Sequence, residues 1–156
     1  MTFTWADYKT EYASLVDSWM DETAVKMTGI EDGIDSKWQA TLKESVNFPG
    51  CKDFFKIVCG NGVPFAAVKY GYYQNNVTVS VIIVDPMQRG KGRGSAVLRE
   101  LAENINRLVG EKTDKIEAVI FPSNTASQRA FENAGFVFEY AHEDGDALYY
   151  SIKTGD

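Results

Sequence analysis

Apolar side chains recur along the chain in two rhythms, and the points where the rhythm changes mark out its elements. Over residues 4–20, Tyr8, Tyr12, Leu15, Val16 and Trp19 fall three to four positions apart, which predicts an amphipathic helix. Residues 21–34 hold two glycines among scattered acids and read as a loop or broken helix. Trp38, Leu42 and Val46 predict a second helix over residues 36–46, which Phe48-Pro49-Gly50 stops.

The rhythm then changes. Residues 53–59 and 63–73 are rich in β-branched and aromatic side chains, and Gly60-Asn61-Gly62 between them supplies the positive φ values of a tight hairpin turn. They should pair antiparallel. Residues 77–84, VTVSVIIV, predict a strand whose second half is apolar on both faces, as in the middle of a sheet. Helical spacing returns over residues 92–109, with Val97, Leu98, Leu101, Ile105 and Leu108 on one face. A strand over 116–121, a short helix over 124–133 with Asn124 as its N-cap, and strands over 136–140 and 147–152 complete the order αα, βββ, α, β, α, ββ.

A length of 156 residues fits one domain with one main site, and 44% hydrophobic against 24% charged residues excludes wholesale disorder. No apolar run approaches the roughly 20 residues of a membrane span, and residues 1–12 lack the basic start and apolar stretch of a signal peptide. The expectation is a cytoplasmic protein that does not bind membranes. Cys51 and Cys59 flank one extended strand, which sets them roughly 26 Å apart, far beyond the separation of about 7 Å that a disulfide tolerates. Free thiols follow. A Cys-His metal site is disfavoured because the chain has one histidine, His142, so no metal is expected.

The net charge of −6 is unevenly spread: residues 1–50 hold nine acids and four lysines, whereas all five arginines lie beyond residue 88. An acidic chain is a poor nonspecific partner for nucleic acid, whose affinity comes largely from cations neutralising phosphates. A small anionic ligand at a local basic turn is a different matter. The segment Val84-Asp85-Pro86-Met87-Gln88-Arg89-Gly90-Lys91-Gly92-Arg93-Gly94-Ser95 joins a central strand to a long helix. Its three glycines let backbone N–H groups converge without Cβ obstruction at a helix start, where the dipole adds positive potential. This is the makings of a pyrophosphate cradle, although glycines alone fit a flexible surface turn equally well. A P-loop would need Ser or Thr after Gly90-Lys91, and Gly92 stands there; a dinucleotide fingerprint would need glycine where Ser95 stands.

Arg89-x-x-Gly92-x-Gly94, preceded by Val84-Asp85-Pro86, is followed by Asn124-x-x-Ser127-x-x-Ala130-Phe131-x-x-Ala134-Gly135-Phe136. This pair resembles the acetyl-CoA motif and the following helix motif of the GNAT superfamily of N-acetyltransferases. The resemblance implies an α/β fold with a mixed, mainly antiparallel sheet flanked by helices, in a single domain over residues 1–156. Residues 1–50 would be acceptor-side helices, and residues 51–156 the sheet and acetyl-CoA-binding core. It implies acetyl-CoA as cosubstrate, its pyrophosphate held by backbone N–H groups of Arg89, Gly90, Lys91, Gly92, Arg93, Gly94 and Ser95. Ile82, Ile83 and Val84 would line the pantetheine arm, the Ile82 N–H would face the thioester oxygen, and Asn124 and Phe131 would flank the arm from the following helix. Lys91 and Arg93 either touch phosphate or are simply solvated.

The chain also departs from that pattern. Many members place a tyrosine at the position of Phe131, where its hydroxyl protonates the departing thiolate, and a glutamate base at positions corresponding to Thr78 and Val119. None of the three residues here can exchange a proton. Candidate replacements are Tyr70, Tyr72, Tyr73, Ser80, Glu22 and His142, with Tyr72 as acid and Ser80 as a water relay the ones carried forward. Asp21, Glu22, Glu31, Asp32 and Asp35 read as a solvated loop or as a cation-attracting rim for the acceptor. The function expected is acetyl transfer by direct attack, through a tetrahedral intermediate, to a primary amine. That amine would belong to a polyamine-like or aminoglycoside-like molecule, or to a peptide lysine or N-terminus. The alternative is a CoA-binding sensory module that has lost turnover. A homodimer is one assembly this reading allows.

Overall fold

The computed structural model describes residues 1–154. Its core is a seven-stranded sheet in the order β1-β2-β3-β4-β5-β7-β6. The strands are β1 Phe3–Asp7, β2 Lys52–Gly60, β3 Val63–Tyr73, β4 Asn76–Val84, β5 Lys115–Ile120, β6 Val137–Ala141 and β7 Leu148–Lys153. Only β4 and β5 run parallel; every other neighbouring pair is antiparallel. That mixed, mainly antiparallel sheet is the one expected. The β2–β3 turn has Asn61 at φ 51° and Gly62 at φ 84°, the two positive values that match the twist of a two-residue hairpin.

The helices are α1 Ala13–Ser18, α2 Glu22–Thr28, α3 Ile34–Ser45, α4 Arg93–Val109 and α5 Thr125–Asn133. Along α4, Val97, Leu98, Leu101, Ile105 and Leu108 are buried, as their spacing predicts. One hydrophobic cluster joins α4 and α5 to the sheet through residues such as Val68, Tyr70, Val77, Val79 and Ile116. A second joins α1 and α3 to it through Val16, Trp19, Ile34, Phe55, Ile57, Ala67, Val81 and Ile83.

The N-terminal region differs from the sequence reading. Residues 4–20 are not one helix: Phe3–Asp7 is an edge strand paired to β2, a 3-10 turn covers Thr10–Tyr12, and only then does α1 begin. The division into helices before residue 50 and sheet after it is corrected accordingly. Phe3 and Trp5, two apart, pack against the main core, while Tyr8 stacks on Phe55 at 4.5 Å. Tyr8 therefore anchors the strand's exit and does not begin a helical stripe. The segment read as loop or broken helix contains α2, whose N-cap Asp21 accepts from the Ala24 N–H at 2.9 Å and whose end is the left-handed Gly29.

Candidate active site

The pairing of β4 with β5 ends at Val79 opposite Ala118, while β4 stays paired to β3 as far as Val84. Beyond that point the two parallel strands diverge and open a cleft of about 890 Å³. The cleft's walls are β4, the turn into α4, the end of β5, α5 and one side of α2. Ile82, Ile83, Val84, Arg89, Gly90, Gly92, Arg93, Gly94, Ser95, Asn124 and Phe131 all line it. Lys91 does not; its side chain is exposed.

Ser80 sets the geometry of β4. Lys69 faces Val81 and Tyr70 faces Val79, so Ser80 is the extra residue of a β-bulge. The bulge reverses the strand's phase. Val77 and Val79 belong to the α4-side cluster, yet beyond Ser80 it is Ile82 and Val84 that pack there, and Val81 and Ile83 turn to the α1–α3 side. Backbone polarity follows from one bond: the Asp85 N–H donates to the Phe65 carbonyl at 2.8 Å. Counting back along an antiparallel ladder, Ile83 and Val81 also face β3, and Ile82 and Val84 occupy the positions that do not bond it. Their N–H groups point into the split between β4 and β5.

The turn into α4 presents a second set of donors. Gly90 and Gly92 have φ of 76° and 73°, and nothing lies within 4 Å of where a Cβ would sit on either. Among the described residues the N–H groups of residues 90–95 donate to no protein acceptor; the first helical bond is from Ala96 to Gly92. Arg89, Arg93 and Arg129 line the same cleft, and none of its lining residues is acidic. Free amides, a helix N-terminus, arginines and an apolar slot fit an elongated ligand with a polyanionic head. Asn124 Oδ1 caps α5 by accepting from the Ser127 N–H at 3.1 Å, and Phe131 is buried, edge-on to Phe136 at 4.9 Å.

A second cleft, about 500 Å³, lies between α3 and the sheet. Thr78 and Ser80 line both clefts, so the two meet at the bulge. The second is floored by Asp53, Lys69, Gly71 and Tyr73 and walled by Lys37, Thr41 and Glu44 of α3.

Residues 14–136 match the profile of the acetyltransferase (GNAT) family. The chain belongs to that family. The chain is similar to the L-2,4-diaminobutyric acid acetyltransferase of Halalkalibacterium halodurans, with 33% identity over 84 residues, 54% of this chain and 43% of that protein. The match thus spans less than half the length of that curated relative. Among solved structures, aminoglycoside acetyltransferase AAC(6')-Ib with coenzyme A superposes with a TM-score of 0.75 at 18% identity, over 97% of this chain and 95% of that one. Spermidine N-acetyltransferase from Vibrio cholerae, with CoA and spermine, gives 0.73 at 13% identity over the same shares of each chain. Campylobacter jejuni N-acetyltransferase PseH with acetyl coenzyme A gives 0.70 at 11% identity, over 99% of this chain and all of that one. These likenesses establish the GNAT fold.

Several candidate residues stand elsewhere than the sequence reading placed them. The Tyr72 hydroxyl donates to Asn75 Oδ1 at 3.0 Å, and its ring belongs to the main core; Tyr72 touches the second cleft and not the first. That commitment argues against its role as acid. Tyr70 is fully buried, which pushes its pKa up, and its hydroxyl has no partner. Glu22 lines neither cleft, and His142 sits in the β6–β7 loop, 3.2 Å from Asp146. Nor do the acids of residues 21–35 form an acceptor rim, because none lines either cleft. Asp21 caps α2, and Asp35 accepts from the Tyr8 and Thr10 hydroxyls.

The sequence reading missed Lys69, Asp53, Glu44 and Glu117. Lys69 had a visible signal, since it interrupts an otherwise apolar strand. Glu117 had none, because its place opposite Thr78 depends on the parallel register of β4 and β5.

Proposed function

We propose that the protein transfers the acetyl group of acetyl-CoA to an amine of a small molecule held in the α3-side cleft, by direct attack where the two clefts meet. The supporting observation is the junction itself: Thr78 and Ser80 belong to both clefts, and just beyond the bulge the Ile82 N–H is turned into the split. In this reading the N–H groups of residues 90–95 bind the pyrophosphate, and Ile82, Ile83 and Val84 flank the pantetheine arm. The Ile82 N–H donates to the thioester oxygen, a contact worth a few kcal/mol when it strengthens in the transition state.

The attacking nitrogen forms a bond to the acetyl carbon, the carbon–sulfur bond breaks, and its electron pair leaves on sulfur. The amine's proton must also go. At pH 7 an alkyl amine of lysine-like pKa is about 3 units from its free base, a cost of roughly 4 kcal/mol. Lys69, beside Ser80, lowers that cost by disfavouring a second cation nearby. With Phe131, Thr78 and Val119 unable to exchange protons, the proton passes to solvent, for which the exposed Ser80 hydroxyl is the nearest relay. L-2,4-Diaminobutyrate, spermidine and aminoglycosides are the acceptors that the related proteins bring into consideration.

The test is thiol release from acetyl-CoA against a panel of these amines, with the acetylated product identified by mass. Saturable, amine-dependent release is expected. A folded protein that binds acetyl-CoA yet releases thiol no faster with any amine would be a CoA-binding module without turnover.

A further inference from the structure

The α3-side cleft has a charge pattern that narrows its occupant. Two of its charged residues are already paired: Lys52 with Glu111 at 2.6 Å, and Glu117 with Lys115 at 2.5 Å. Four are not. Among the described residues Lys37 and Lys69 have no carboxylate, and Glu44 and Asp53 no cation, within ion-pair distance. The cleft therefore offers two uncommitted ammonium groups and two uncommitted carboxylates to whatever fills it.

Lys69 is the most constrained of the four. It stands in the middle of β3, between the buried Val68 and Tyr70, and is half-buried. The Ser80 hydroxyl, 3.2 Å away, takes one of its three N–H donors. Two remain for a ligand. Burial holds its pKa below the ordinary lysine value, with Asp53 and Glu44 opposing that shift and Lys37 adding to it. A bound anion opposes that downward shift. Next along the same face is Gly71, where a Cβ would come within 3.2 Å of Asp53 Oδ1, so glycine leaves that carboxylate uncovered.

Building on the acetyl-transfer reading, we propose that the acceptor is a diamine that also carries a carboxylate. Lys69 binds the carboxylate beside the bulge, Asp53 and Glu44 hold the non-reacting ammonium, and the other amine reaches the thioester. A polyamine meets two uncompensated lysines in this cleft, whereas a diamino acid also brings the anion that Lys69 lacks. The product keeps its carboxylate and loses one positive charge.

The experiment uses a matched pair of probes that differ only in the carboxylate, L-2,4-diaminobutyrate and 1,3-diaminopropane. Each is assayed by thiol release with wild type, Lys69→Met and Lys69→Arg, and acetyl-CoA binding by calorimetry in each variant verifies the fold and the first cleft. In wild type, kcat/KM for the diaminobutyrate should exceed that for the diamine by roughly tenfold or more, the scale of one charge-assisted hydrogen bond. Lys69→Met should raise KM for the diaminobutyrate by a similar factor while KM for the diamine stays the same or falls, with Lys69→Arg recovering part of the loss. Equal use of the two probes, or an equal KM increase for both in Lys69→Met, overturns the proposal. If spermidine or an aminoglycoside is acetylated and neither probe is, the proposal fails while acetyl transfer stands. If no amine promotes thiol release, both fail.

Discussion

Arg89 Nη1 lies 2.7 Å from Asp21 Oδ2, and its Nη2 is 3.5 Å from the Trp19 carbonyl, so the turn that opens α4 is tied to the start of α2 across 68 positions. The arginine of the acetyl-CoA motif thus spends its side chain on another element. Its guanidinium holds α2 at the mouth of the first cleft, where Thr23, Ala24, Met27 and Thr28 form part of the wall. On the proposed reading, recognition of the phosphates falls mainly to the free backbone N–H groups of residues 90–95.

The pair makes a prediction about pH and stability. The Ala24 N–H, and then the Arg89 hydrogen bond, hold the Asp21 carboxyl below its ordinary value of 3.8. A carboxyl with a lowered folded-state pKa contributes stability that is present above the unfolded value and lost as pH falls through the folded one. Asp21→Asn keeps a good N-cap and removes only the charge. Denaturant titrations should therefore show wild type more stable than Asp21→Asn near neutrality, with the difference shrinking as pH falls below about 4 toward the lowered folded-state pKa. A difference constant across that range would mean that the charge does not matter.

Acetyl-CoA should stabilise the fold. At 100 times its dissociation constant linkage gives about 2.7 kcal/mol, and each kcal/mol moves Tm by about 2 to 4 °C in a domain of this size. A shift of several degrees is expected in a thermal melt. No shift at millimolar acetyl-CoA would remove the first cleft as its site.

Two neighbouring substitutions separate backbone recognition from side-chain charge. Gly92→Asp puts a carboxylate into the open space beside the free amides, at φ 73°, and should reduce acetyl-CoA affinity by more than about a hundredfold while costing the fold only about 1 to 2 kcal/mol. Lys91→Ala removes an exposed charge that does not line the cleft and should cost no more than about fivefold. Calorimetry that finds the two variants equal would move the phosphate site elsewhere.

How much of this was legible in the sequence depends on whether a feature is local. The α4 stripe, the Asn61-Gly62 hairpin and the Gly90-Gly92-Gly94 turn are fixed by neighbouring residues, and each stands where its pattern puts it. Strand β1 was missed because the helical stripe that begins at Tyr8 was extended back to residue 4, over Trp5, and only pairing with β2 decides between the two periods. Helix α2 falls in the segment read as loop or broken helix, and its signals, Asp21 at the cap and Gly29 at the stop, were not used to choose between the two. The bulge was not legible at all. VTVSVIIV alternates acceptably with or without a phase change at Ser80, and the register that resolves it belongs to β3. The α3-side cleft depended on that register too, since it gathers α3, β2, β3, β4 and β5.

Neither an acid nor a base stands at the positions where the family resemblance would place them. Phe131 is buried at the edge of the first cleft, 4.9 Å from Phe136, and has no proton to give. Thr78 and Val119, which also line that cleft, have none to take. If the amine loses its proton to solvent, kcat at saturating acceptor should rise with the free-base fraction through about pH 7 to 9 and show no descending limb below about pH 10. Saturation matters because Lys69, whose pKa is lowered by burial, would otherwise add its own ionisation through acceptor binding. Phe131→Tyr supplies a phenol on the cleft wall, so the rate near pH 7.5 should hold or rise, and a descending limb should appear as that phenol ionises at high pH. A descending limb near pH 8.5 in the unmodified protein would instead require a tyrosine acid already in place. Tyr73, exposed and lining the acceptor cleft, would be the first to replace with Phe, because Tyr70 is sealed in the core and the Tyr72 hydroxyl is held by Asn75.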